Sequence, residues 1–394
     1  MKICILTPRF PFPENGGDVL RINNICRYLK RKGHTIILVT FFDKTNKEEN
    51  KIYANKLYHK VYYIKRRNFI SCFYSFLALI FNKPIQVGYY FSFVYLSVFK
   101  KAIKVEKPEL YIVQLLRMVA YTNLLHLQNK TIVDMADALS KTYSLVNKPS
   151  KFSLKKLVYK IERRRIKKHE KLTIKSYKKC VLNAQADKEY LDNYKTLYIY
   201  PMGVECLKKI PSEYIKNKVV FIGNMRTLQN QDAVRFFVDD ILPLIKKIIP
   251  NVVFHIIGDE PPANIQKMAK DKEIIVSGFV NSVEDEIKDA AIAVAPVRIA
   301  AGIQNKVLIS MACGVPVVLT SLISAGIPEL ITNKNCIIAD EKNDFSQAVI
   351  SLIQNTNMRN SIGKAGYDMI HSEYSWDKVL DGYEEGFLLH DDLS

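Results

Sequence analysis

Short, tightly apolar runs alternate with longer amphipathic stretches along the whole chain, and that alternation predicts strands and helices in turn. Residues 2–7 read as a buried strand. A proline-rich loop, PRFPFPENGG, follows and ends in Gly16-Gly17. Residues 18–32 predict an amphipathic helix with Val19, Ile22, Cys26 and Leu29 on one face, closed by Gly33, and residues 34–41 the next strand. Further short strands are expected at 110–114, at 131–135 and, as the last of the first half, at 180–183. Residues 201–217, opening with Pro201-Met202-Gly203-Val204, read as a hinge. In the second half, strands are expected at 219–222, 252–257, 274–277, 291–295, 315–319 and 336–339. A helix at 232–249, kinked at Pro243, separates the first two. Another starts near Glu284, Asp285 and Glu286, whose charge suits a helix N-terminus. A third runs from Asn305 to Gly314, a left-handed cap position where glycine is free of strain. An amphipathic helix at 375–389, containing Trp376, ends the pattern and is expected to pack back across the hinge. Alternation of this kind builds parallel doubly wound sheets. The expected organisation is a first domain at 1–204, a second at 205–374 and the closing helix at 375–394.

Length and charge sharpen this picture. At 394 residues the chain exceeds one typical core, which agrees with two domains of nearly equal size. The seven cysteines are scattered without a C-x-x-C pair, so neither a zinc site nor a disulfide framework is indicated, and a reducing, cytosolic compartment is expected. The N-terminus, MKICILTPRF, turns polar too soon for a signal peptide. Of 58 Lys+Arg and 39 Asp+Glu, residues 1–200 hold 39 and 14, a net +25, which leaves 19 and 25, or −6, for the rest. A basic half beside a mildly acidic one implies a polyanionic partner for the first half alone. Much of that charge lies in a helical stretch at 151–179. Nucleic acid is not expected, because no aromatic stacking platform or known module accompanies the charge. The most apolar run, residues 69–81, is 13 residues long, short of the roughly 20 that span a bilayer. With the aromatic run at 89–99 it reads first as a pair of core helices. The competing reading is a partly exposed apolar face, flanked by Lys65-Arg66-Arg67 and Lys100-Lys101, resting on an anionic membrane surface.

Candidate chemistry gathers where strands end. Asp134 and Asp137 close one strand of the first half, and with no His or third carboxylate nearby a metal is not expected there. Gly16-Gly17 opens a helix, where backbone N–H groups can meet an anion, although a steric need for glycine explains it as well. Gly223, Gly258, Gly278 and Gly302 mark strand ends in the second half, where such a sheet lines one crevice. In APVRIAAGIQNKVLISMACGVPVVLT, residues 295–320, Arg298, Gly302 and Lys306 surround a helix start. That is a phosphate site by electrostatics, or an ordinary αβ turn with two surface bases.

Several motifs carry a family resemblance. FIGNMRTLQNQDAVRFF, HIIGDEPP, VSGFV and above all PVRIAAGIQNKVLISMACGVPVV resemble glycosyltransferase family 4, in the branch that builds bacterial capsule, exopolysaccharide and O-antigen chains. TPRFPFPENGGDVLRI looks like that family's N-terminal Gly-Gly loop, and IVDMADALSK resembles a strand-end acidic motif of the same branch. The resemblance implies an α/β fold of GT-B type, two Rossmann-like doubly wound domains facing a cleft. It implies a retaining, metal-independent enzyme with no cofactor, which uses a UDP- or GDP-sugar donor and a lipid-linked or cell-surface polysaccharide acceptor. Localisation would be cytoplasmic and peripheral at the inner face of the plasma membrane. By the same resemblance Arg298 and Lys306 neutralise the donor diphosphate, and Gly302 and the N–H groups after it, to Asn305, contact the phosphates. Gly278, Phe279 and Val280 frame the base, Gly223 lies in the first donor-side loop, and Gly16 and Gly17 meet donor phosphate or acceptor. Asp137 stands where the family commonly has a catalytic-centre His, with Asp134 orienting it. The sequence departs from the family at two Glu positions, here Ala301 and Ile309, and at a first-loop Arg and Lys, here Asn224 and Asn230, with Arg226 two residues on as a substitute. The Glu replaced by Ile309 bonds the ribose in the family, a loss of about 1.5–3 kcal/mol. Ile309 therefore motivates an alternative, a non-catalytic GT-B scaffold or partner subunit in polysaccharide assembly. A nucleotide-sugar epimerase fits less well, because His255 lies inside a strand and His371 near the C-terminus.

Overall fold

The computed structural model of the chain describes residues 1–14, 16–42, 47–145, 154–207, 210–211, 213–299 and 303–387. Two compact units form, Met1–Pro201 with Leu380–Ser394, and Met202–Val379. Each is a parallel sheet with its own apolar core, the Rossmann-like α/β architecture expected from the pattern.

In the first unit the strands are β1 (Lys2–Thr7), β2 (Thr35–Phe42), β3 (Lys60–Lys65), β4 (Leu110–Gln114), β5 (Thr131–Ala136), β6 (Lys179–Leu182) and β7 (Leu197–Ile199). Their order is β3-β2-β1-β4-β5-β6-β7, so the chain reverses direction across the sheet between β1 and β4. β1 and β4 are buried on both faces, which is why KICILT and LYIVQ read as nearly continuous apolar runs. The pattern at 60–65 and 197–199 carries no such signal. Both segments are sheet edges, where one side faces water and lysines and tyrosines interrupt the apolar positions. The 69–81 run is not a core helix. Helix Asn68–Ile80 forms as the pattern predicts, but it buries Ser71 and Ala78 and leaves Phe69, Phe73, Phe76 and Ile80 in solvent.

In the second unit β8 (Ile215–Ile222), β9 (Val253–Ile257), β10 (Ile274–Gly278), β11 (Ala290–Ala295), β12 (Val317–Leu319) and β13 (Ile337–Ile338) take the order β10-β9-β8-β11-β12-β13. The reversal here lies between β8 and β11, and in open α/β sheets ligands bind at the carboxyl ends of the strands flanking that point. The single helix expected at 232–249 is two helices, Leu228–Phe236 and Leu242–Lys246, joined by a wide turn over Phe237–Ile241. Pro243 supplies no N–H to the preceding turn, and the extra residue there absorbs the missing bond. The last helix, Trp376–Phe387, begins in the second unit and ends in the first.

The loops after β8, β9 and β10 lock together. The Gly223 N–H donates to Ile257 O at 2.9 Å, and the Gly258 N–H donates to Gly278 O at 3.0 Å. A Cβ on Gly258 would collide with the Gly223 carbonyl. Gly258→Ala is therefore expected to cost about 1–3 kcal/mol, as overpacking does, read as a lowered denaturant midpoint. An unchanged midpoint would mean that these loops give way freely.

Candidate functional site

The best-defined candidate lies in the second unit, where β8 and β11 end. Helix Asn305–Ala312 starts there, and its N-cap residue, Gln304, makes no side-chain capping bond. Lys306, in the first turn, points its ammonium at two neutral amides. Nζ donates to Asn230 Oδ1 at 2.8 Å and to Gln304 Oε1 at 3.1 Å, and it lies 5.4 Å from the centroid of the Phe221 ring. No ion pair to Lys306 is found among the described residues. Loss of water without a counter-charge pushes its pKa down from 10.5 to about 8. A half-buried cation that among the described residues bonds only to amide oxygens, at a helix start, is suited to receive an anion.

Asn230 is the keystone of this corner. It is buried, its Nδ2 donates to the Asn224 carbonyl at 2.9 Å, and its Oδ1 takes Lys306. A Cβ on Gly223 would sit 2.6 Å from Asn230 Nδ2, so glycine at 223 makes room for this side chain. Two residues further along the same helix, Asp232 holds Arg298. The guanidinium donates from Nε to Oδ2 at 3.0 Å and from Nη2 to Oδ1 at 2.7 Å, and it stacks 4.4 Å above the Phe236 ring. The carboxylate also raises the pKa of Arg298. Helix Leu228–Phe236 thus presents one partner to each cation. Among the described residues Arg298 is charge-balanced, whereas Lys306 is not. The sequence marked Asn230 only as a departure from the family and Asp232 not at all, because a helix carries many polar residues and only the fold shows which of them face β11 and the 305 helix.

Other expected residues lie apart from this pair. Arg226 is exposed and salt-bridges to Asp259 at 3.2 Å and to Glu260, tying the β8 and β9 loops together rather than standing free. Gly278 has φ 69°, a left-handed turn that glycine permits, and the Phe279 ring after it is 62% exposed. Val280 and Ile309 are partly buried against the core. Asn305 is half-buried at the helix start. Gly302 and Ala301 lie outside the described residues.

The first unit brings its acidic motif to the end of β5. Asp134 is buried and paired with Arg21, Nε to Oδ2, at 2.8 Å, and its Oδ1 accepts the Ala136 N–H at 3.2 Å. Ala136 adopts φ 61°, a conformation that costs a non-glycine residue about 1 kcal/mol or more and that turns the chain so that Asp137 follows at the surface. Asn183 Nδ2 donates to Asp137 Oδ1 at 3.3 Å. Desolvation first, and the Asp187 carboxylate second, raise the pKa of Asp137 above its usual 3.8. The helix that follows, Leu139–Leu145, is pinned at its start by a fully buried carboxyl group, Glu170, which accepts the Ser140 N–H at 3.0 Å and is pushed by burial to about 7. Arg21 anchors the corner further, donating Nη1 to the Pro201 carbonyl at 3.0 Å. Gly16, the N-cap of helix Gly17–Arg31, has φ 113° and lies against the Arg9–Asp18 pair, so a Cβ would come within 2.9 Å of Arg9 Nη2. The positive φ suits glycine here, and Arg9 is a flexible, exposed side chain that could move aside. Gly17 is the first residue of that helix. Among the described residues no group of three or more His, Cys, Asp and Glu side chains is placed to hold a metal ion, and no helix is long and apolar enough to cross a membrane.

With this geometry in view, comparison with known proteins is informative. Residues 216–355, all in the second unit, match the family described as glycosyl transferases group 1. HepE of Anabaena, solved in complex with UDP and glucose, superposes with TM-score 0.65 at 12% identity, covering 99% of this chain and 100% of that one. TarM of S. aureus, solved with fondaparinux, alpha-GlcNAc-glycerol and UDP, gives 0.66 at 12% identity over 98% and 99% of the two chains. Sucrose-phosphate synthase of Thermosynechococcus elongatus gives 0.68 at 12% identity over 98% of each. In sequence, an uncharacterized 44.6 kDa protein in the cps region of Klebsiella pneumoniae is 24% identical over 397 residues, 96% of this chain and 98% of the relative. The fold is that of the GT-B glycosyltransferases. Within it, residues 216–355 of the second unit are similar to the group 1 glycosyl transferases.

Proposed function

We propose that the protein is a retaining, metal-independent glycosyltransferase of family 4 that moves a sugar from a UDP- or GDP-sugar to a lipid-linked or cell-surface polysaccharide acceptor. The observation that carries the donor assignment is Lys306, a half-buried ammonium with no counter-charge among the described residues, at the start of a helix beside the sheet's reversal point. A donor diphosphate supplies the missing charge. Arg298 lies on the same helix partner and joins the clamp by exchanging or sharing Asp232. Two fixed cations and helix N–H groups can stabilise the departing nucleoside diphosphate, the task for which other transferases use a divalent ion. Gly278, Phe279 and Val280 are assigned to the base and Asp137 to the transfer step. The relative in a cps region supports the polysaccharide acceptor, and neighbours solved with UDP support a uridine donor. The basic first half supports work at the cytoplasmic face of an anionic membrane.

The test is a screen of UDP- and GDP-sugars with membrane lipid extract as acceptor, with and without a chelator, and NMR assignment of the product anomer. Transfer that stops on chelation would reject the metal-independent mechanism, and an inverted anomer would reject retention. The alternative is a non-catalytic scaffold, motivated by Ile309. Calorimetry separates the two, since no heat with UDP, GDP or their sugars favours the scaffold. Ile309→Glu is expected to tighten UDP or GDP binding about 10–100-fold by restoring a charge-assisted bond to the ribose. Weaker or equal binding would place the ribose elsewhere.

A further inference from the structure

Helix Asn68–Ile80 is built inside out. Its sequence, NFISCFYSFLALI, contains no charged residue. The small residues face the protein: Ser71 and Ala78 are buried, and the neighbouring Gly88 lies so close that a Cβ there would strike the Tyr74 carbonyl and the Ala78 methyl. The large residues face out. Phe69, Phe73, Phe76 and Ile80 fall at helical spacing on one stripe and are 87%, 53%, 60% and 62% exposed, and Phe81 and Phe93 extend the patch. Water penalises such a stripe, so it implies a partner.

Charge identifies the partner. Between Glu49 and Glu106 the chain has no acidic residue and ten Lys and Arg. Arg67 and Lys83 bracket the helix in exposed positions. The basic helix Leu154–Ser176 docks directly against its end: Arg165 donates from Nε to Asn82 Oδ1 at 3.0 Å and from Nη2 to the Leu79 carbonyl at 3.4 Å. Arg164 and Lys168, exposed on that helix, continue the basic field beside the apolar stripe. A phenylalanine stripe rimmed by exposed cations, with the nearby Glu162 buried on the Ile85 N–H and Arg165, matches the layering of an anionic lipid surface, acyl chains below and phosphates above. At 13 residues the helix is too short to span it.

We infer that helix Asn68–Ile80 lies in the interface of an anionic phospholipid bilayer, with Phe69, Phe73 and Phe76 inserted among acyl chains and the flanking Lys and Arg on the headgroups. This names the surface through which the proposed transferase meets its membrane. Vesicle binding and donor binding are measured separately, so failure of one leaves the other standing. The test is flotation of the full chain with vesicles of phosphatidylcholine alone or with phosphatidylglycerol. Binding is expected only with phosphatidylglycerol, falling but not vanishing at high salt. The F69S/F73S/F76S variant is expected to lose at least about tenfold in partition while binding nucleotide unchanged. In a chain otherwise unaltered, F73W reports depth, because the native Trp376 is buried. Its emission should shift to the blue and be quenched by brominated acyl chains. No vesicle binding, a triple variant that binds as the native chain does, an unquenched tryptophan, or a dimer in light scattering that the triple variant dissociates would each overturn the inference.

Discussion

Lys306→Ala is expected to cut sugar transfer by roughly 10²–10³-fold in kcat/KM, the range found when one preorganised donor to a developing charge is removed. Nucleotide affinity should fall about 10–100-fold alongside it, because the ammonium supplies charge that no carboxylate in the corner already uses. The direction of the pH dependence follows from the same burial. In the free protein the amine loses its proton near pH 8, below the ordinary 10.5. A bound diphosphate favours the ammonium and raises that value again. Donor affinity is therefore highest below pH 8 and falls as pH rises through it, by up to about tenfold per unit, with a proton taken up on binding. Calorimetry in buffers of different ionisation enthalpy reads that proton directly. A flat profile from pH 7 to 9.5, or wild-type transfer by the alanine variant, would remove Lys306 from the site. The shift also acts on stability. It destabilises the fold below about pH 8, where the buried amine is charged, and that cost fades as pH climbs toward 10.5.

Arg21→Met is expected to be the most damaging change in the first unit. Arg21 and Asp134 form a pair in which both side chains are at least 95% buried, and removing one charge strands the other. The expected loss is about 3–5 kcal/mol, measured as a shift of the urea midpoint. Among the described residues Arg21 Nη2 has no hydrogen-bond partner, so the pair is not fully satisfied there. Replacing both members, as in R21M/D134L, should recover most of the loss, because no buried charge then remains. If the single variant is as stable as the native chain, the pair is solvated and the end of β5 is not held as described.

The periodicity carried the central strands of the first sheet almost to the residue, because strands buried on two faces leave long apolar runs, whereas β8 begins four residues before the expected 219 because its first half is polar and exposed. Edge strands β3 and β7 were silent for the opposite reason. The glycines were legible as positions but not as causes. Gly223 makes room for Asn230 and Gly16 takes a left-handed φ of 113°, and neither cause can be found without the fold. Arg298 and Lys306 were visible as two cations near a helix start. Their difference, one balanced by Asp232 and one left with amides, depends on which face of helix Leu228–Phe236 turns inward. The 69–81 run shows the limit most plainly. Thirteen apolar residues read alike whether a core or a lipid surface covers them, and only the positions of Ser71, Ala78 and Gly88 reveal which side is packed.

The shared helix Trp376–Phe387 bears on how the chain is made. Leu380 and Tyr383 are buried in the first unit, the Tyr383 ring lies 5.4 Å from that of Tyr200, and Asp381 accepts the Tyr28 hydroxyl at 2.5 Å. The ribosome delivers residues 1–201 first, yet these contacts wait until nearly the whole sequence has emerged. Domains made early usually fold early. Here the unit begun first receives its last helix only after the residues of the second unit have been made.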